Sequence, residues 1–221
     1  IVCAEALRLM FRGEVNETIS DVPSIHLLQH GYVTARAGYP LIVPGPAADV
    51  STGIAVGHCR APLQMLVREA RRAEQKAKHE YGRGALAVHL YKRSGEIIEW
   101  GCKWDDEAKG NVALRLLRLV ATLSRESDFD HPPRLPGRFP YALAQLLEPY
   151  CLSERTPMVQ EEIQKIIMKE FEHVMTQQGR GLNEYATVFR DLSTKWLAQT
   201  AGKPDDFVKL FLVEAFINRH G

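Results

Sequence analysis

The stretch AEQKAKHEYGR, residues 73–83, gathers Lys76, Lys78 and Arg83 around a glycine, Gly82. Lysine and arginine at a turn can hold phosphate oxygens through charge-assisted hydrogen bonds. The same cations also suit a helix C-terminus, where the dipole is negative and a bare helix end repels phosphate. A phosphate site here must therefore be built from side chains, and plain helix-end charge stands beside it as the other reading. His26 and His30, four apart in HLLQH, would share one face of a helix as metal ligands. Neither the glutamate of a zinc protease nor a third ligand accompanies them, which disfavours a metal. His58 adjoins Cys59, but neighbours on a strand point to opposite faces, so His58 reads as a structural or hydrogen-bonding residue rather than a nucleophile's partner. Asp105 and Asp106 stand where a hairpin hands over to a helix and read as solvated or helix N-terminal charge.

Composition narrows the classes. Twenty-eight Lys and Arg against 27 Asp and Glu leave a net charge of +1 on 221 residues, so no bulk field marks a nucleic-acid or membrane binder and any anion site must be local. The four cysteines, Cys3, Cys59, Cys102 and Cys151, are far apart without a C-x-x-C, against a zinc knuckle or a dense disulfide framework. No apolar run approaches the ~20 residues of a membrane span, and the first residues lack the basic start and cleavage site of a signal peptide. A cytoplasmic protein with reduced thiols and no membrane partner is expected. The opening IVCAEALRLMF starts inside a helical pattern without Met, which reads as a fragment or a trimmed chain.

The elements that would position these residues follow from periodicity. The proline-bearing residues 13–50 read as a loop or insertion. VSTGIAVGH, residues 50–58, reads as a buried strand in which Gly53 admits another backbone or a ligand. Pro62 opens a helix with inner face Leu63, Leu66, Ala70, Ala73 and Ala77, and Gly82 ends it in the left-handed conformation. ALAVHLYKR (85–93), the turn SGE and IIEWGCKW form a hairpin. Beyond residue 105 the period is helical: 108–126, 140–149, 158–178, 182–199 and 204–219, broken longest by 128–140. Their apolar faces carry Ile163, Ile166, Ile167 and Phe171, then Tyr185, Val188, Phe189, Leu192 and Trp196, then Phe207, Leu210, Phe211, Ala215 and Phe216. The fold class is α+β: residues 1–104 a sheet domain, 105–221 an all-α helical bundle.

STGIAVGH, PLQMLVREARRAEQKAK, GRGALAVHLYKRSGE and the closing FLVEAFINRHG together resemble the C-terminal part of the large, polymerase-like subunit of type III CRISPR effector complexes, in the III-B (Cmr) branch. The likeness covers most of residues 50–104, and the final helix less fully. It implies half of a ferredoxin-like palm domain of the nucleotide cyclase and GGDEF kind, followed by the helical bundle. It implies an activity of the whole protein, target-RNA-triggered synthesis of cyclic oligoadenylates from ATP, an antiviral nucleotidyltransferase reaction. Mg or Mn would be held by a G-G-D-D hairpin that this chain lacks; the helix at Ile1 looks like the one that follows it. Other Cmr subunits, the small helical subunit among them, CRISPR RNA and target RNA are the implied partners. In GGDEF relatives a lysine ending the helix and an arginine after the glycine contact phosphates, which carries over to Lys78 and Arg83, one residue further apart here. Ser51 falls where the CRISPR family offers a hydroxyl near the adenine. A non-catalytic scaffold module and a GGDEF-like cyclase fragment are the alternative readings.

Overall fold

In a computed structural model, the described residues are 1–13, 26–28, 32–34, 40–45, 47–104, 111–125, 134–151, 157–179, 182, 184–200 and 203–220. In chain order the elements are α1 (Val2–Arg12), β1 (His26–Leu28), β2 (Tyr32–Thr34), β3 (Pro40–Ile42), β4 (Thr52–Val56), α2 (Leu63–His79), β5 (Ala85–Tyr91), β6 (Ile97–Lys103), α3 (Val112–Ser124), α4 (Phe139–Leu147), a 3₁₀ turn (Glu148–Tyr150), α5 (Pro157–Gln178), α6 (Ala186–Gln199) and α7 (Pro204–His220). The class is α+β. A mixed three-stranded sheet, β4-β5-β6, pairs β4 and β5 in parallel and β5 and β6 antiparallel.

The alternation of β5 decides which element covers which face. Leu86, Val88 and Leu90, with Ile98 and Trp100 of β6, join one apolar core with the helical bundle, in which Phe139, Phe171, Phe189, Phe207 and Phe211 are all fully buried. Most of their rings meet edge-on, Phe171 and Phe189 with centroids 5.1 Å apart, a geometry favoured by ring quadrupoles. The aromatic residues of α7 thus fill the bundle's own core. That core runs continuously between sheet and bundle across the expected boundary near 104.

The opposite face of β5, Ala85 and Ala87, receives Ala73 and Ala77 of α2. Small side chains on both sides let helix and sheet approach closely. Gly53 makes this literal: a Cβ there would stand 2.2 Å from the Glu74 amide nitrogen and 2.3 Å from the Ala70 carbonyl oxygen. The close approach expected at this glycine is that of the α2 backbone.

Several expectations need correction. Residues 26–28, 32–34 and 40–42 form a three-stranded antiparallel sheet, β1-β2-β3, where a loop was expected, because strands of three residues are too short to show a period of two. His26 lies in β1, opposite Thr34, so it is on no helix; His30 lies outside the described residues, as do Asp105 and Asp106. Leu63, expected on the inner face of α2, is 74% exposed, and Ile166 and Val188 are also exposed. Leu63 is the first residue of its helix and overhangs the sheet. The expected helix 182–199 begins at Ala186. Among the described residues no helix is long and apolar enough to cross a membrane.

Candidate functional site

Ser51, Lys78 and Arg83 reach one rim of the sheet by three routes. Thr52 pairs with Leu86 in parallel register, so Ser51 sits at the same end as the start of β5, which follows directly on Arg83 and Gly84. Glu74 lies over Gly53, and α2 runs antiparallel to β4. Two residues back along β4 and one turn on along α2 therefore lead to Ser51 and Lys78 on the same side.

The turn between α2 and β5 is built from left-handed residues. Gly82 (φ 76°), Arg83 (φ 61°) and Gly84 (φ 50°) follow one another, and Arg83 is the one non-glycine with positive φ among the described residues. A side chain in that conformation costs about 1–2 kcal/mol. What holds it is visible: the Arg83 amide donates to the Ala77 carbonyl at 3.1 Å, and Lys103 Nζ donates to the carbonyls of Gly82 (2.6 Å) and Arg83 (2.9 Å). Lys76, Lys78 and His79 fill the last turn of α2, as helix-end cations would, and Lys103 holds the turn that follows. The Arg83 side chain is exposed and in no ion pair among the described residues; Lys78 is half-exposed and pairs with Glu74 of its own helix.

Beside this turn Asp49 accepts from Arg8 Nε and Nη2, both at 2.7 Å, and its Oδ2 would stand 3.1 Å from a Cβ on Gly84. Arg8, 4% exposed, lies over the Trp104 ring, whose Nε1 donates to the Val50 carbonyl at 2.8 Å. Against its burial, Asp49 is held below the usual carboxylate range by Arg8, the Val50 amide and Arg12. Asp49 is thus paired within the rim, where Lys103 sits on the turn, Lys78 pairs with Glu74 and the Arg83 side chain is exposed.

Under α2 lies a polar cluster that sequence reasoning passed over. His89 of β5, fully buried, stands between Glu69 of α2 (4.0 Å) and Glu99 of β6 (3.9 Å), and neither ring nitrogen has a hydrogen-bond partner. Burial pushes the imidazole below its ordinary pKa, against the pull of Glu99. Glu69 accepts from the Tyr91 hydroxyl and Glu99 from Lys76; the Tyr91 bond, with Arg72 and Arg68, holds Glu69 low. The signal was in the strand itself: a histidine at the position after Ala85 and Ala87 on the alanine face. With its histidine sealed from solvent, this cluster fixes α2 on the hairpin rather than offering a reactive group.

His58 and Cys59 lie beyond the end of β4, so the opposite-faces argument does not apply to them. The His58 Nδ1 accepts from the Arg60 amide at 3.1 Å and is 3.9 Å from Cys59 Sγ, which makes His58 a hydrogen-bonding residue of a turn. A cavity of about 440 Å³ opens on the other side of β6, against α3, α6 and α7, lined among others by Tyr81, Trp100, Lys103, Trp196 and Lys209. Ser51, Lys78 and Arg83 are not in its wall. Among the described residues no group of three or more His, Cys, Asp and Glu stands together to hold a metal ion. No protein-family profile, curated protein or solved structure matches the chain.

Proposed function

We propose that this chain belongs to the large subunit of a type III-B CRISPR RNA-guided complex, as half of a ferredoxin-like palm with its helical domain, and that its rim binds the phosphates of ATP. One observation carries this reading: Ser51, distant in sequence from Lys78 and Arg83, shares one end of a β-α-β unit with them. The left-handed backbone of Arg83 is held by Lys103 and the Ala77 carbonyl, and its exposed side chain is in no ion pair among the described residues. The pairing of Lys78 with Glu74 is a half-exposed contact within one helix, of the kind worth under ~1 kcal/mol, and a triphosphate would displace it readily. The Ser51 hydroxyl, at the start of β4, supplies a donor and an acceptor for the base or ribose.

The residues fit a triphosphate better than a metal, for they are donors. Metal ions bound by carboxylates outside this chain would supply Lewis-acid activation of the phosphoryl group. Lys78 and Arg83 would orient the triphosphate and offset its charge. The test is the assembled complex carrying the complete subunit: target RNA should trigger conversion of ATP to cyclic oligoadenylates, read by mass spectrometry. An assembled, RNA-bound complex that leaves ATP unchanged overturns the proposal.

A further inference from the structure

The solvent face of α2 carries a track of donors that the rim does not use. Gln64, Arg68, Arg71, Gln75 and His79 recur at spacings of three and four and are all exposed; they fall on the side of the helix opposite Ala73 and Ala77. The track is about 22 Å long at 1.5 Å per residue. The helix sorts its charges by face. Glu69 is 8% exposed and accepts from Tyr91 beneath the helix, and Glu74 lies over β4, whereas the side chains of Arg68 and Arg72 are 75% and 58% exposed. Their contacts with carboxylates are loose, 3.6–3.7 Å, and Arg71 has none among the described residues.

We infer that this face of α2 binds the phosphate backbone of a nucleic-acid strand. Guanidinium groups match phosphate oxygens two at a time, and three exposed arginines, Arg68, Arg71 and Arg72, lie within two turns of this helix. An acidic protein partner fits less well. Protein interfaces need a desolvated apolar centre, and the exposed apolar residues of α2, Leu63 and Val67, are confined to its first two turns. The contact reads phosphate and not sequence. It stands on charge placement alone and holds whether or not the rim binds ATP.

The test is fluorescence anisotropy of a labelled 20-nucleotide single-stranded RNA against the full chain, with DNA of the same sequence and poly-glutamate as parallel arms. RNA and DNA should bind alike, with Kd on the order of 10 μM at 50 mM salt. With Arg68, Arg71 and Arg72 engaged, log K should fall against log salt with slope about −2.1, and with slope about −0.7 in Arg68→Ala/Arg71→Ala. Both substitutions are at exposed positions, and an unchanged melting curve shows that the fold is kept. No binding at low salt, a slope unmoved by the double substitution, or equal binding of poly-glutamate would each overturn the inference.

Discussion

Arg83 is the residue where stability and the proposed role pull apart. Its left-handed backbone is one that glycine adopts without penalty, so Arg83→Gly should stabilise the chain by about 1 kcal/mol in urea denaturation while weakening ATP binding by the complete protein. Lower stability of the glycine variant would show that the guanidinium holds the turn together. Glu214 is a buried acidic residue. It is 3% exposed on α7, accepts from the Asn218 amide, and burial pushes its pKa up to about 7, against Ser124 and Arg125. In the unfolded chain it titrates near 4.5. Between those values the folded chain binds a proton that the unfolded chain has lost, so stability falls as pH rises from about 4.5 to 7 and levels off above. Glu214→Gln removes the charge and should stabilise by on the order of 3 kcal/mol at pH 8, with little effect at pH 4. Equal gains at both pH values would contradict this origin.

At the scale of elements, the contact between β4 and α2 sets the rim. Gly53→Ala forces a methyl into the α2 backbone at Glu74 and Ala70, contacts that no rotamer change relieves. A loss of about 3 kcal/mol or more is expected in urea denaturation; a loss under about 1 kcal/mol would mean that helix and strand are less tightly held than described. This packing was legible in the sequence, because a glycine inside TGIAV and alanines at Ala73 and Ala77 have few other physical uses. The helices of the bundle were legible for the same reason, a long apolar period, with ends displaced by a few residues. Short elements escaped: HLL, YVT and PLI are each one pleat, and only pairing makes them strands. The Glu69-His89-Glu99 cluster escaped because it joins three elements. Lys103 escaped because its role, donating to the carbonyls of Gly82 and Arg83, exists only once β6 has folded back beside the turn.

For the whole molecule, β4 is the strand with open consequences. All five of its residues are half-exposed, and among the described residues its outer edge has no strand beside it. Strand β5 is paired on both sides within the chain. An open edge invites pairing with another chain, so sedimentation should show association that grows with concentration; a monomer throughout would mean that this edge is covered. The central claim, that one rim of this molecule meets ATP phosphates, is most directly tested by the ATP affinity of the complete protein carrying Lys78→Glu and Arg83→Glu. Two lost charge-assisted contacts, each about 1.5–3 kcal/mol, should weaken ATP binding at least ~100-fold while assembly stays intact. Unchanged affinity in the double variant would contradict the claim and leave these cations as the finish of a helix.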